Sequence, residues 1–363
     1  MLPKLSVKGN KIIDALGRSI LLAGAGWQDL SFNPTLAVMD AETRARAFKS
    51  YGANSVRLWL NWRLWKDPSL GETYKAEVDK CVQACVNNDL YVFFSMMGFS
   101  YPIGSNDLAE KQAILSDPTE WINWMIDLLT RYQNSNVIGF SIWNEPGGVN
   151  EAGYRNAVKQ ACQSIQNVHP ESLILIDSWG DGGAYGRGID PYWINNPLPQ
   201  TNIVYCFHRY YYQDVLYRDQ NPDYVTSYEA GDYAKAKQEL EQAWQSIVFN
   251  AIDAGMCCMH EEFGYDSNRP EYPEPASAQV QKDIYEMMNR RGLHWNYVAW
   301  WPTGYGLLSD WTANTYTLSL QGEIWTANLI PTSPSQSYVW LIPIIIVGGT
   351  LITYQVLKAR KDK

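Results

Sequence analysis

Two short stretches place a carboxylate where chemistry can use it. Glu145 stands in Ile142-Trp143-Asn144-Glu145-Pro146, and Glu262 in His260-Glu261-Glu262-Phe263-Gly264. Each closes an apolar run of the kind that forms buried parallel strands, so each side chain is expected at a strand's C-terminal end. Two carboxyl groups presented together supply one proton donor and one nucleophile or base, which is what glycosidic bond cleavage requires. Successive strand residues point to opposite faces, so only one of Glu261 and Glu262 is expected to look into the mouth. Arg57 interrupts the apolar run Ser55-Val56-Arg57-Leu58-Trp59; buried unpaired it would be costly, so a carboxylate partner is expected. His208 and Tyr210 lie two apart after another apolar run, hence on one face. Trp300 and Trp301 end a late run, and parity alone does not choose between them as a sugar-stacking plate. Trp27, Trp59, Trp62, Trp179 and Tyr305 are further aromatic platforms or core residues.

The elements that must position these groups alternate. Apolar runs at 21–26, 54–60, 90–95, 137–143, 173–177, 203–208, 256–262 and 297–301 read as strands. Amphipathic stretches at 41–50, 76–87, 121–133, 154–167 and 234–251 read as helices. Eight strands with helical crossovers predict an α/β fold, a (β/α)8 TIM barrel, whose active sites lie at the strands' C-terminal ends. The eighth helix is weakly marked, and 209–233, dense in Tyr and Asp, reads as a long loop over that face.

Hydrophobic residues at 46% against 18% charged place the chain among folded globular proteins. A formal charge of −9 argues against nucleic acid, whose phosphates demand basic surfaces, and suits a neutral substrate. The six cysteines lack metal spacing and the four histidines are scattered, so neither metal nor cofactor is expected. Met1-Leu2-Pro3-Lys4 shows no apolar leader. A Pro/Ser/Thr linker at 331–337 separates the catalytic domain, 1–330, from an uncharged stretch at 338–357. That stretch contains Pro343 and Gly348-Gly349 and is apolar on every face, as a single C-terminal transmembrane helix in a lipid bilayer would be. The basic tail 358–363 favours the cytoplasmic side, which puts the catalytic domain outside the cell; a C-terminal anchor without a leader would instead leave it in the cytoplasm, and the outside is the reading favoured. A monomer is expected.

The run from Asn136 to Pro146, joined to Glu-Phe-Gly at a later strand end, resembles family 5 of clan A glycoside hydrolases, the cellulase-like family. The resemblance covers roughly 5–327. It implies that Glu145 is the acid/base, that Asn144 contacts the sugar 2-hydroxyl, and that Glu262, directly before Phe-Gly, is the nucleophile. It also implies that His208 lies near the acid/base, that Tyr210 hydrogen-bonds the nucleophile, and that Trp300 stacks on the sugar; the carboxylate partner that buried Arg57 needs is then expected to be that nucleophile. A carboxyl separation of about 5 Å is then expected, the spacing of a retaining double displacement. Two departures stand out. Glu261 occupies a position where the family more often has glycine, and Phe93-Phe94-Ser95-Met96-Met97-Gly98-Phe99 lacks the histidine usual after the third strand. The implied activity is a retaining endo-β-1,4-glucanase acting on a polysaccharide or oligosaccharide. A β-mannanase, a glycolipid-cleaving endoglycosidase and a noncatalytic carbohydrate-binding surface protein are the alternatives.

Overall fold

The computed structural model describes residues 1–329 except 37–38, 102–106, 181–187, 217–223, 266–273, 303–305 and 313–314. The chain divides into two units, Met1–Thr332 and Ser333–Lys363. The expected linker, membrane helix and basic tail lie outside the described residues. Among the described residues no helix is long and apolar enough to cross a membrane.

Three short antiparallel strands open the chain: β1 (Leu5–Lys8), β2 (Lys11–Asp14) and β3 (Ser19–Ile20). Eight parallel strands then close a barrel in chain order. They are β4 (Ala23–Trp27), β5 (Ser55–Asn61), β6 (Tyr91–Gly98), β7 (Val137–Ser141), β8 (Leu173–Asp177), β9 (Ile203–His208), β10 (Cys258–Glu262) and β11 (His294–Tyr297), with β11 paired back to β4. The (β/α)8 expectation is met. At β4 the wall must be bare backbone, because a Cβ on Gly24 would sit 1.9 Å from the Ser55 carbonyl oxygen.

The N-terminal hairpin closes the lower end of the barrel. Leu2 N–H donates to Asn136 Oδ1 (2.9 Å) and Val7 N–H to Asn202 Oδ1 (2.8 Å), both just before barrel strands. Leu5 and Ile12 join Leu173, Leu175, Val204, Cys206, Cys257 and Met259 in an apolar plug. The next residues in step on those strands are Asp177, His208 and Glu261, so the barrel changes from apolar to charged one layer higher. A second, larger core fills the space between the strands and the surrounding helices. The helix Ala41–Tyr51 shows how these are delimited: the Asp40 side chain accepts from Thr43 N–H, and Gly52 at φ 99° ends it. All six cysteines are free and buried.

Two expectations need correction. The last barrel strand is His294–Tyr297, not 297–301. Its polar residues His294 and Asn296 are buried, and His294 Nδ1 accepts from Leu22 N–H (3.1 Å), so a search for apolar runs passes over it. The stretch 209–233 is not a plain loop, since Tyr211–Leu216 and Tyr224–Glu229 are helical. Buried Arg209 pins them together, pairing with Asp214 (2.7 Å) and donating to the Tyr224 hydroxyl (3.2 Å). After β11, a hairpin of β12 (Leu308–Trp311) and β13 (Tyr316–Leu318) leads to a nine-residue helix, Leu320–Asn328. Its Trp325 anchors the barrel wall through Nε1–H to the Gly24 carbonyl (3.1 Å).

Candidate active site

Arg57 points inward from β5 and is 0% exposed. Its Nη1 donates to Glu262 Oε2 (2.6 Å), its Nη2 to Asn144 Oδ1 (2.7 Å), and its Nε lies 3.0 Å from Glu261 Oε1. Burial alone would lower its pKa; the charges of Glu261, Glu262 and Asp177 outweigh that and raise it above the ordinary arginine value. One buried cation therefore gathers residues from β5, β10 and the end of β7.

Strict alternation would turn Glu261 and Glu262 to opposite faces of the strand, yet Arg57 touches both. The reason is a register shift. His260 pairs with Phe207 and Glu262 with His208, so two steps along β10 match one along β9. His260 turns outward and stacks between Phe207 and Phe263, each 4.4 Å away between ring centroids. Glu261 stays beneath the mouth, while Glu262 sits at its rim with its second oxygen, Oε1, accepting from the Tyr210 hydroxyl.

Glu145 follows β7 with no helix starting at it; the next helix, Glu151–Val168, is capped by Asn150. Its backbone is left-handed, φ 47°, which costs a non-glycine residue about 1–2 kcal/mol. Asp177 Oδ2 accepts from the Glu145 N–H (3.0 Å), and Lys111 Nζ donates to its carbonyl (3.2 Å). His208 Nδ1 lies 3.0 Å from Glu145 Oε1 and 3.6 Å from Glu262 Oε2, and its Nε2 lies 3.3 Å from Asp177 Oδ2. One oxygen each of Glu145 and Glu262 and a nitrogen of His208 fall within 4.8 Å of one another. Burial pushes the Glu145 carboxyl up to about 7, although Arg57 and Lys111 oppose this. Burial likewise brings His208 down to about 4, so its ring is neutral near pH 7. Asp177 is raised well above its ordinary value by burial and then by the charge of Glu261.

Among the described residues, two trios offer metal-type donors, Glu145–His208–Glu262 and Asp177–His208–Glu261. In each, a glutamate already faces the Arg57 guanidinium, and a second cation would be repelled by it.

The aromatic expectations divide. Trp300, expected as the stacking plate, is 0% exposed and packed among Phe48 (5.0 Å between ring centroids), Tyr316 (5.2 Å) and Trp325 (5.9 Å). It belongs to the outer core. Its neighbour Trp301 is half-buried, beside Trp311 at 4.7 Å. Trp27 is also fully buried, with the Arg44 guanidinium 4.9 Å from its ring. Trp59 and Trp62 are buried too, whereas Trp179 is half-buried with Nε1–H on the Val149 carbonyl (3.3 Å). Tyr305 lies outside the described residues. At the end of β6, where the histidine is missing, Met97 is half-buried, and the strand supports the site through the Met96 carbonyl, which accepts from Asn144 N–H (3.2 Å).

Sequence reading missed Asp177 and Lys111. Asp177 ends the apolar run Leu173-Ile174-Leu175-Ile176, the same signal that marked Glu145 and Glu262. Lys111, inside the helix Asp107–Ser116, carried no signal.

The Glu145 shift has a consequence for stability. Its folded pKa of about 7 lies above the ordinary 4.5, so between those values the native state holds the extra proton. Stability contributed by this group is full at low pH and falls as pH rises through that window, by roughly 3 kcal/mol. Glu145→Gln, which cannot ionise, should match the parent in thermal melting near pH 4.5 and melt several degrees higher at pH 8. Equal melting temperatures at pH 8 would contradict the burial argument.

A family model described as Cellulase (glycosyl hydrolase family 5) matches residues 17–304. Endoglucanase A of Butyrivibrio fibrisolvens is 25% identical over 217 residues, 57% of this chain and 45% of that protein, so the chain spans less than half of that relative's length. A protein named β-xylosidase from Phanerodontia chrysosporium is 21% identical over 349 residues, 80% of this chain and 69% of that one. Among solved structures, a β-glucanase from Saccharophagus degradans superposes with a TM-score of 0.64 at 18% identity, covering 91% of this chain and 93% of its own. The catalytic domain of the major endoglucanase from Xanthomonas campestris gives 0.64 at 17% identity, covering 89% and 99%. These likenesses agree with the barrel, and the match over 17–304 makes the chain a member of the cellulase family, glycosyl hydrolase family 5.

Proposed function

We propose that this chain is a retaining endo-β-glucanase that cleaves β-1,4-linked glucan. The observation that carries the reading is the approach of the Glu145 and Glu262 carboxyl oxygens to within 4.8 Å, with His208 beside both. That spacing suits direct attack by one carboxylate and leaves no room for the water of an inverting mechanism. Glu262 attacks the anomeric carbon while Glu145 passes its proton to the leaving oxygen; the glycosidic bond breaks and an ester to Glu262 forms. Glu145, now a carboxylate, takes a proton from water, whose oxygen attacks the same carbon and releases Glu262. Tyr210 and Arg57 aim the nucleophile. Arg57 also holds Asn144 Oδ1, which leaves the Asn144 amide hydrogens to meet the sugar 2-hydroxyl. Trp301, with an accessible face, takes the stacking role expected of Trp300. The names of the endoglucanase relatives support glucan as the substrate. A noncatalytic binder has no use for two carboxylates held this way at the cost of burial.

Hydrolysis of soluble β-glucans, with product anomers followed by NMR, tests this. Glu145→Gln and Glu262→Gln should each lose at least about 100-fold in turnover, and the first-formed product should be the β anomer. Undiminished turnover in either variant, or an initial α anomer, would contradict it.

We further propose that residues 338–357 anchor the enzyme in a bilayer with the catalytic domain outside. The support is the 20-residue uncharged stretch from Tyr338 to Leu357, long enough for a hydrocarbon core of about 30 Å, and the basic tail after it. The full chain should remain with membranes after an alkaline wash and its barrel be digested by protease added to intact cells, while a 1–330 chain washes off. Full release of the intact chain, or complete protection of the barrel, would overturn this.

A further inference from the structure

Asp177 stands at the top of β8, 1% exposed, on a rigid support. Its carbonyl accepts from the Tyr154 hydroxyl (2.6 Å), and the next residue, Ser178, donates its N–H to the Cys206 carbonyl (2.9 Å). A single oxygen of its carboxyl, Oδ2, faces two partners. One is the backbone N–H of Glu145 at 3.0 Å; the other is His208 Nε2 at 3.3 Å. The opposite nitrogen of that ring, Nδ1, lies 3.0 Å from the Glu145 carboxyl. Asp177 thus touches the proton donor's main chain directly and its side chain through one imidazole.

Glu145 needs such a restraint. It is followed by Pro146, which biases the preceding residue toward extended backbone, yet its φ is 47°. A residue in that region persists only where its surroundings fix it. Released, it would swing its carboxyl away from the leaving oxygen, and displacement of about 1 Å can cost about 100-fold in rate. Glu261 has the same buried setting and lies 4.0 Å from the same His208 nitrogen, but the contact with the Glu145 main chain is made by Asp177.

Building on the reading of Glu145 as acid/base, we propose that Asp177 is a positioning residue for the proton donor. Its Oδ2 holds Glu145 in the left-handed conformation that aims the carboxyl at the leaving oxygen, with the His208 ring 3.3 Å from the same oxygen. The role requires an acceptor oxygen, which an amide also supplies. The other oxygen, Oδ1, has no hydrogen-bond partner among the described residues, so an amide nitrogen can occupy its place.

Leaving-group dependence separates positioning from general structural damage. Cleavage of cello-oligosaccharide needs a proton on a poor leaving group, whereas dinitrophenyl β-cellobioside departs without one, and kcat/KM reports bond cleavage for both. Turnover of both substrates by the parent enzyme, with Glu145→Gln impaired on the first alone, secures the reading of Glu145 by itself. Asp177→Ala should then lose about 100-fold in kcat/KM on cellopentaose and less than about threefold on the dinitrophenyl glycoside. Asp177→Asn should stay within about fivefold of the parent on both. Should Asp177→Ala not fold, Asp177→Ser, too short to reach the Glu145 N–H, carries the same expectation. Equal losses on the two substrates, no loss in the alanine or serine variant, or an asparagine variant as impaired as alanine would overturn the proposal.

Discussion

One guanidinium buried beneath the barrel mouth organises everything above it. Arg57 has no access to water, so its charge is tolerable only if carboxylates and an amide surround it at close range. Glu261 and Glu262 from β10 and Asn144 from just after β7 meet that demand, because the closed barrel brings β5, β7 and β10 into one ring. Removing one partner from such a cluster leaves an uncompensated buried charge, a cost of about 3–5 kcal/mol, so the geometry of Glu262 and the stability of the barrel top are the same problem.

The two carboxylates at the centre are chemically alike and placed in opposite surroundings. Glu262 receives a cation on one oxygen and a hydroxyl donor on the other. Glu145 meets a neutral imidazole at its carboxyl and Lys111 at its main-chain carbonyl, and keeps 20% of its side chain open toward solvent. In the proposed mechanism, donors and charge around Glu262 suit it to attack, and burial of Glu145 suits it to give up a proton. The left-handed backbone at Glu145 is the strain accepted for that placement.

Much of this was legible before any coordinates. Seven barrel strands lie where the apolar runs place them, and Glu145, Glu262, Arg57, Asn144, His208 and Tyr210 meet in one site. What escaped has physical causes. The bulge that brings Glu261 and Glu262 to the same guanidinium is a property of the register between β10 and β9, and no single strand's alternation reports it. The eighth strand hides because its inward residues are polar. The choice of Trp300 rested on the family resemblance, and the fold instead uses that ring as packing between Phe48 and Trp325. Asp177 shows the opposite failure: its signal was present, a carboxylate closing an apolar run, but its partner is a backbone N–H made available only by the turn at Glu145.

Glu262, and not the adjacent Glu261, is the residue proposed to form the bond to sugar. A 2-deoxy-2-fluoro-β-cellobioside with a dinitrophenyl leaving group traps that ester, and fragmentation of the labelled peptide distinguishes neighbouring residues. One added fluorocellobiosyl mass on Glu262 is the result predicted from the Arg57 and Tyr210 contacts. Label on Glu261, or turnover of substrate with no trapped ester, would contradict it.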